Sequence, residues 1–295
     1  MASDICLVLH RKSANEAVVK EAVRQVRDAG YDLRVRIPWN KKEKPRVVKE
    51  ALDDGATRII AGGGDGTINA VVNALVRKGK KRAKATLGIL PLGTANDFAR
   101  GLGLPVDDLA QCLEIACSRP PRYIDVGKAN ARFFINVTSG GFGSEITATT
   151  PVDMKKKLGG TAYTIMGLIK ARDLKPYMGK LLIPGEEPVE GGMLIMAVGN
   201  GRLAGGGFEV APSAVLDDGL LDLAVVQHRP RMSLTKAIAE LKDPTNPENQ
   251  YLYYRQLSKF TIEAERKVHF NLDGEPTRKR KLTFSVLPGH LGVAF

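Results

Sequence analysis

The sequence predicts an α/β domain with a parallel sheet, followed by a mainly antiparallel β domain. Three observations carry this. At 295 residues the chain is long for one compact core, which favours two domains. Through the first 130 residues, strand-like runs alternate with amphipathic helical stretches, the pattern of a parallel sheet. From about residue 132 the pattern changes to a succession of β-type runs with few helical interruptions. The domains are therefore drawn at 1–130 and 131–295, with the last strand free to return to the first domain.

In order, a strand is expected over 5–10 and a helix over 15–29, closed by Gly30. Ser13 and Glu16 have the spacing of a capping box, and Val18, Val19, Ala22, Val23 and Val26 form one apolar stripe. A strand over 32–37 precedes a helix opened by Pro45, with Val47, Val48, Ala51 and Leu52 inward. The strand over 58–61 runs straight into a glycine cluster, and the helix after it carries Ile68, Val71, Val72 and Leu75 on one face. A further strand covers 86–90. The β-type runs of the second domain fall at 133–138, 193–198, 220–227, 260–264, 268–272 and 282–287, with helices near 161–172 and 232–241.

Composition narrows the function classes. Hydrophobic residues make up 43% and charged residues 26%, so a folded globular protein is expected. No apolar run approaches the roughly 20 residues of a membrane span. The start of the chain has an acidic residue and no cation before its short apolar run, unlike a secretory signal. Cys6, Cys112 and Cys117 form no zinc-like pair and fit a reducing compartment. Asn136-Val137-Thr138 matches a glycosylation acceptor but reads as the inside of a strand. The net charge of +12 suits an anionic partner, whether nucleic acid, membrane surface or phosphate-bearing substrate. Its basic clusters, at 41–44, 77–84, 155–157 and 278–281, are each also readable as solvated surface.

The sharpest motif is GGGDGT at 62–67, between a strand and a helix. A glycine turn there exposes backbone N–H groups at a helix N-terminus, where both donors and dipole favour a phosphate. A simple turn needs one or two glycines, not four. The loop is neither a P-loop nor a G-x-G-x-x-G fingerprint, and no protein-kinase motif occurs. A second motif, PLGTANDFAR at 91–100, puts hydroxyl, amide and carboxylate groups at another strand's carboxyl end, the ligand-binding edge of open α/β sheets. Asn96 and Asp97 would also serve there as turn and capping residues.

Together these motifs resemble the catalytic signature of diacylglycerol, sphingosine and related lipid kinases. The resemblance continues in order through TSGGFG at 138–143, GNGR at 199–202, LDDGLLD at 216–222 and NLDGEP at 271–276, and is greatest to the YegS group. It implies a nucleotide-binding α/β domain, a β-sandwich domain that receives a lipid, and an enzyme using ATP and Mg²⁺. Carried over, ATP would lie over Gly62, Gly63, Gly64, Asp65, Gly66 and Thr67, with Ile68, Asn69, Ala70 and Thr94 in contact. Glu275 would accept the proton of the lipid hydroxyl, and Asp65 and Asp97 would organise the catalytic magnesium or the nucleotide. Asp218, with the carbonyls of Val215 and Leu220, would hold a magnesium ion. Taken by themselves, Asp273-Gly274 and Asp217-Asp218-Gly219 also read as hairpin turns. The sequence departs from the family at His10, where an Asn is usual, and at Pro38, where some relatives carry a nucleotide-contacting Thr.

The implied reaction is transfer of the γ-phosphate of ATP to a free hydroxyl of a membrane lipid of the phosphatidylglycerol or diacylglycerol type. The implied setting is cytoplasmic and peripheral to the inner face of the membrane, with anionic lipid as a partner. Two rivals remain: a soluble-substrate kinase such as an NAD kinase, which shares a glycine–Asp–glycine loop, and a basic nucleic-acid-binding protein. An aromatic content of 6% and the lack of a reading motif count against nucleic acid.

Overall fold

The computed structural model describes residues 5–76, 83–141, 175–230, 232–240 and 242–295. The helix expected over 161–172, the basic cluster at 155–157 and most of that at 77–84 lie outside them. The described chain divides into two compact units, one made of Met1–Val126 and Leu287–Phe295, the other of Gly127–Val286.

The first unit is a parallel sheet with helices on both faces. Its strands are β1 (Ile5–Leu9), β2 (Leu33–Arg36), β3 (Arg58–Gly63) and β4 (Thr86–Pro91), in the order β4-β3-β1-β2. Because β1 pairs with both β2 and β3, the strand order reverses beside β1, making the topological switch point at which open α/β sheets bind ligands. Helices α1 (Ala17–Asp28) and α5 (Leu109–Ser118) pack together, and α5 also lies on β4. Helices α2 (Lys44–Asp53) and α3 (Asp65–Leu75) form a second packed pair. A short α4 (Asp97–Gly101) lies between β4 and α5. The end of the chain returns to this unit, where Val293 pairs in parallel with Leu87 and the Asp125 carboxylate accepts the Gly289 N–H at 2.7 Å.

Two local expectations are corrected here. Ser13 does not cap α1. The chain leaves β1 through a 3₁₀ turn over Arg11–Asn15 capped by His10, Ser13 is buried inside that turn, and Glu16 occupies the α1 N-cap with no side-chain bond. Val18 is 60% exposed, because Val19, Ala22, Val23 and Val26 already complete the i, i+3, i+4, i+7 stripe and Val18 flanks it in the first turn. Leu52 is half-buried at the end of α2, while Val47, Val48 and Ala51 are buried as expected.

The second unit is the mainly antiparallel β-sandwich-like domain. Its strands are the end of β5 (Arg122–Ala129), β6 (Arg132–Phe134), β7 (Val137–Gly141), β8 (Tyr177–Leu182), β9 (Val189–Gly199), β12 (Leu221–His228), β13 (Leu252–Leu257), β14 (Lys259–Leu272) and most of β15 (Glu275–Val293), with β10 (Leu203–Ala204) and β11 (Phe208–Glu209) as a small ribbon. Residues on β12 show how the two faces are used. Leu221, Leu223 and Val225 enter the main core with Phe134, Phe260 and Phe284. Ala224 and Val226 face a second cluster containing Ala237 of α6 (Leu234–Glu240). The period of two thus explains why six consecutive β12 residues are buried. Phe260 and Phe284 are cross-strand partners with rings stacked at 5.0 Å, and Phe134 meets Phe284 edge-on at 6.3 Å.

The strand expected over 133–138 is broken at Ile135 and Asn136, where backbone groups turn away to meet the Asp273 carboxylate. Asn136 is therefore in a bend rather than inside a strand, and its buried amide donates to the Leu203 carbonyl at 2.8 Å. The runs at 260–264 and 268–272 belong to one strand, β14, interrupted by a bulge. Among the described residues, no helix is long and apolar enough to cross a membrane.

Candidate functional site

The glycine motif follows β3, with Gly64 as the N-cap of α3 and its carbonyl accepting the Thr67 and Ile68 N–H groups. The second motif follows β4 and crosses directly over it. A Cβ on Gly64 would stand 2.9 Å from the Gly93 Cα, and one on Gly93 would stand 2.5 Å from the Gly64 Cα, so only glycine fits on either side of the crossing. Leu92 N–H donates to the Gly63 carbonyl at 3.1 Å and pins the two loops together. Gly63 has no room for a Cβ beside the Thr67 side chain, and a Cβ on Gly62 would press at 2.9 Å on the ends of the Leu7 and Leu9 side chains. Gly66 differs, since a Cβ there would meet nothing within 4 Å. Internal packing thus accounts for the other glycines of the turn but not for Gly66.

Asp65 and Asp97 are brought together. The Asp65 carboxylate accepts the Phe98 N–H at 3.1 Å and the Asp97 N–H at 3.3 Å, so it caps α4 from the neighbouring loop. Burial, with the nearby charge of Asp97 adding to it, raises the Asp65 carboxyl above its ordinary range, against the lowering effect of these amide donors. Asn96 takes a left-handed conformation, φ 52°, and clasps Gly93 through both its amide oxygen and its amide nitrogen.

A cavity of about 460 Å³ opens at the carboxyl ends of β1, β2, β3 and β4. Gly63, Gly64, Asp65, Gly66, Thr67 and Thr94 line it. Gly62 lies beneath the loop, and Ile68, Asn69 and Ala70 continue into α3, with Ile68 in the core at 1% exposure. The rest of the lining includes His10 and Pro38, the two positions where the sequence departs from the family, together with Arg11, Trp39, Asn40 and Lys44, which motif reading missed. Lys44 stood in a basic cluster that reads as solvated, yet it is buried and donates from Nζ to Thr67 Oγ1 at 2.9 Å. Burial, then the charges of Lys44 and Lys12, hold the His10 imidazole below its ordinary range and neutral at neutral pH.

In the second unit, three further motifs converge on one hairpin. Asp273 and Gly274, with φ of 43° and 89°, form the two-residue turn between β14 and β15, and Glu275 pairs with Leu272 just beyond it. The buried Asp273 carboxylate accepts the Ile135 N–H at 2.9 Å. Asn200 donates to the Ile135 carbonyl at 3.0 Å, while Asn200 and Gly201 N–H groups donate to the Asn136 carbonyl. Glu275 is thus held on a turn anchored by a buried polar network joining 135–136, 200–201 and 271–275.

The segment at 215–220 is a loop entering β12, not a hairpin as the turn reading had it. Asp218 accepts the Leu220 N–H at 2.9 Å, Gly219 has φ 76°, and Val215 is exposed. Behind it lies buried Asp222, bonded by the Tyr254 hydroxyl. Burial raises the Asp222 carboxyl and the Asp218 charge adds to the rise, while bonds from Tyr254 and Gln256 and the charge of Arg202 oppose it. The loop offers the Asp217 and Asp218 carboxylates and backbone carbonyls, and among the described residues no group of three or more His, Cys, Asp or Glu is arranged to hold a metal.

Residues 4–129 match the diacylglycerol kinase catalytic domain, and residues 137–295 match the YegS C-terminal NAD kinase beta sandwich-like domain. A protein of Chromohalobacter salexigens named "Probable lipid kinase YegS-like" is 42% identical over 99% of this chain and 93% of its own length. A protein of the same name from Pseudomonas aeruginosa is 41% identical over 98% of this chain and 93% of its own. A solved structure of a diacylglycerol kinase from Bacillus anthracis superimposes with a TM-score of 0.79 at 23% identity, covering 99% of this chain and 97% of that one, which speaks to the fold. Two family domains in tandem and close relatives along nearly the whole chain make it a member of the YegS-like lipid kinase family, phosphotransferases with an alcohol group as acceptor.

Proposed function

We propose that the protein transfers the γ-phosphate of ATP to a free hydroxyl of a membrane lipid of the phosphatidylglycerol or diacylglycerol type, working at the inner membrane surface. The observation that carries the nucleotide half of this reading is the cavity of about 460 Å³ at the switch point, bounded by a glycine loop and an α-helix N-terminus. Gly63 to Thr67 and Thr94 would contact the phosphates, with open space above Gly66 for the closest approach. Asp65 would act as a positioning residue, fixing α4 and so the Thr94 loop, with Asp97 beside it. Catalysis of this kind rests on positioning and electrostatics rather than covalent chemistry.

Glu275 would accept the proton of the attacking hydroxyl, and the anchored hairpin would keep its carboxylate in a fixed orientation. The oxygen-only donors at Asp218, Val215 and Leu220 fit a hard cation such as Mg²⁺, which usually keeps several waters and uses one or two carboxylates. Bound there, the cation would supply charge neutralisation to the Asp218 and Asp222 carboxylates.

The test is transfer of labelled γ-phosphate from ATP and Mg²⁺ to a panel of lipids in mixed micelles, with Glu275→Gln beside wild type. Wild type should phosphorylate one lipid class, and Glu275→Gln should lose roughly 10²–10⁴-fold in turnover while binding ATP normally. Transfer to NAD but to no lipid would replace this reading with that of a soluble-substrate kinase. Salt-dependent binding of nucleic acid without ATP turnover would replace it with the non-enzymatic one.

A further inference from the structure

We propose that Trp39 is the adenine-binding residue of this cavity, its indole providing the face on which the base stacks; the inference rests on the ATP reading above and adds the base to it. Three observations carry it. Trp39 lines the cavity together with the glycine loop, yet it is 75% exposed, the highest value among the large hydrophobic residues described. An indole is usually well covered in a folded protein, so one left open in a cavity lining offers its surface to a flat apolar partner.

The loop that carries it is braced. The Glu43 carboxylate accepts the Trp39 backbone N–H at 3.0 Å and the Asn40 side-chain amide at 2.9 Å, and Asn40 caps the 3₁₀ turn Lys41–Glu43 by accepting the Lys42 N–H at 2.9 Å. These bonds fix the backbone without using the ring, so little further ordering is needed when a ligand covers it. The third observation is the place of Trp39 in the sheet. The glycine loop and the Thr94 loop follow β3 and β4, whereas Trp39 follows β2, and the order β4-β3-β1-β2 puts two strand spacings between β3 and β2. At about 4.8 Å each, these separate the two ends of the lining by roughly 10 Å. A ligand that occupies both needs an anionic end for the helix N-terminus and a flat aromatic end for the indole, joined by a spacer. A nucleotide has that layout, with the ribose as spacer. Pro38 adds a second ring to the lining beside Trp39.

Trp39 is the only tryptophan of the chain, so its emission reports this site alone. The full-length protein is titrated with ATP, adenosine and inorganic tripolyphosphate while tryptophan emission is followed, and affinities are measured by calorimetry for wild type, Trp39→Phe and Trp39→Ala. In wild type, ATP and adenosine should quench the emission, while tripolyphosphate should displace ATP without quenching. Trp39→Ala should weaken ATP by about tenfold, the scale of one base stacked on an aromatic ring, and leave tripolyphosphate unchanged. Trp39→Phe, which keeps a ring, should retain most of the ATP affinity. If Trp39→Ala does not fold, Trp39→Leu, which keeps apolar bulk without the ring, is read in the same way. An ATP loss that exceeds the tripolyphosphate loss by threefold or more supports the assignment. Any smaller difference overturns it, and emission that then responds to phosphatidylglycerol vesicles would assign the indole to the membrane instead. Wild type that binds no ATP would bring down the ATP reading itself, and this inference with it.

Discussion

Gly64 and Gly93 meet across two loops with no space for a side chain, whereas Gly66, two residues along the same turn, faces open space. In the sequence these glycines look alike. The distinction between packing and ligand approach depends on which backbone lies opposite, and that is set by the second motif about 30 residues away. It predicts opposite outcomes for two similar changes. Gly93→Ala forces a Cβ against the Gly64 backbone and should lower stability by about 1–3 kcal/mol, read as a drop in Tm. Gly66→Ala should hold Tm or raise it slightly, since alanine is favoured over glycine by up to about 1 kcal/mol in a helix interior and Gly66 lies in the first turn, yet it should weaken ATP binding by narrowing the approach. Should both variants lose Tm equally, Gly66 is a packing glycine too. Lys44 was illegible for a related reason. Charge runs are read as solvated by default, and only the position of Thr67 on a different element reveals a buried acceptor.

Within elements, periodicity was a good guide and termini were not. The stripe on α1, apart from Val18, follows from burial alone, so the sequence displays it directly. The start of α1 does not, because a 3₁₀ turn capped by His10 precedes it, nor does the break at Ile135 and Asn136, where a distant carboxylate, Asp273, accepts the backbone N–H groups. The same dependence on a neighbouring strand marks Asp222 on β12. Its raised carboxyl means that the native state holds the proton more tightly than the unfolded chain, so this residue's contribution to stability is fullest at low pH and falls as pH rises through its native titration. The Tyr254 bond opposes that rise. Tyr254→Phe should therefore push the Asp222 carboxyl higher still, with a loss of stability, read as a drop in Tm, that is small near pH 4 and grows toward pH 7, reaching about 1.5–3 kcal/mol for a lost bond to a charge. A deficit independent of pH would mean that the ring, not the hydroxyl, is what matters. Helix α5 offers a second check. Burial pushes the Cys112 and Cys117 thiols up to about 11, so at pH 8 their thiolate fraction is about a hundredfold below that of an unburied thiol starting from 9.0, and alkylation should be slow until the chain unfolds. Fast alkylation of the native protein would contradict that burial.

At the scale of the whole molecule, the change from alternating to mainly β-type pattern near residue 132 made the fold class legible, because parallel and antiparallel sheets need different connections. Charge is the remaining global property, and part of it lies exposed on β15. Arg278, Lys279 and Arg280 are exposed on one strand, with Arg266 and Lys267 exposed on the partner strand at the β14 bulge. Lys281 is already matched by Glu263 at 2.9 Å. A ribbon of this kind a few residues from Glu275 would bring that carboxylate toward a lipid surface by attraction to anionic headgroups, at roughly 1 kcal/mol per cation near the surface. Wild type should therefore sediment with vesicles containing phosphatidylglycerol, less with purely zwitterionic ones, and progressively less as salt shortens the Debye length from about 10 Å at 0.1 M to about 3 Å at 1 M. Changing Arg278, Lys279 and Arg280 together to Gln should lower binding by about 10²-fold at low salt, taking each cation at somewhat under its full value, and should leave phosphorylation of a lipid dispersed in neutral detergent micelles intact. That last comparison separates a docking role from a catalytic one: activity lost in micelles as well would place these residues in the reaction rather than at the membrane. Binding indifferent to both salt and anionic lipid would leave the +12 charge without a membrane role.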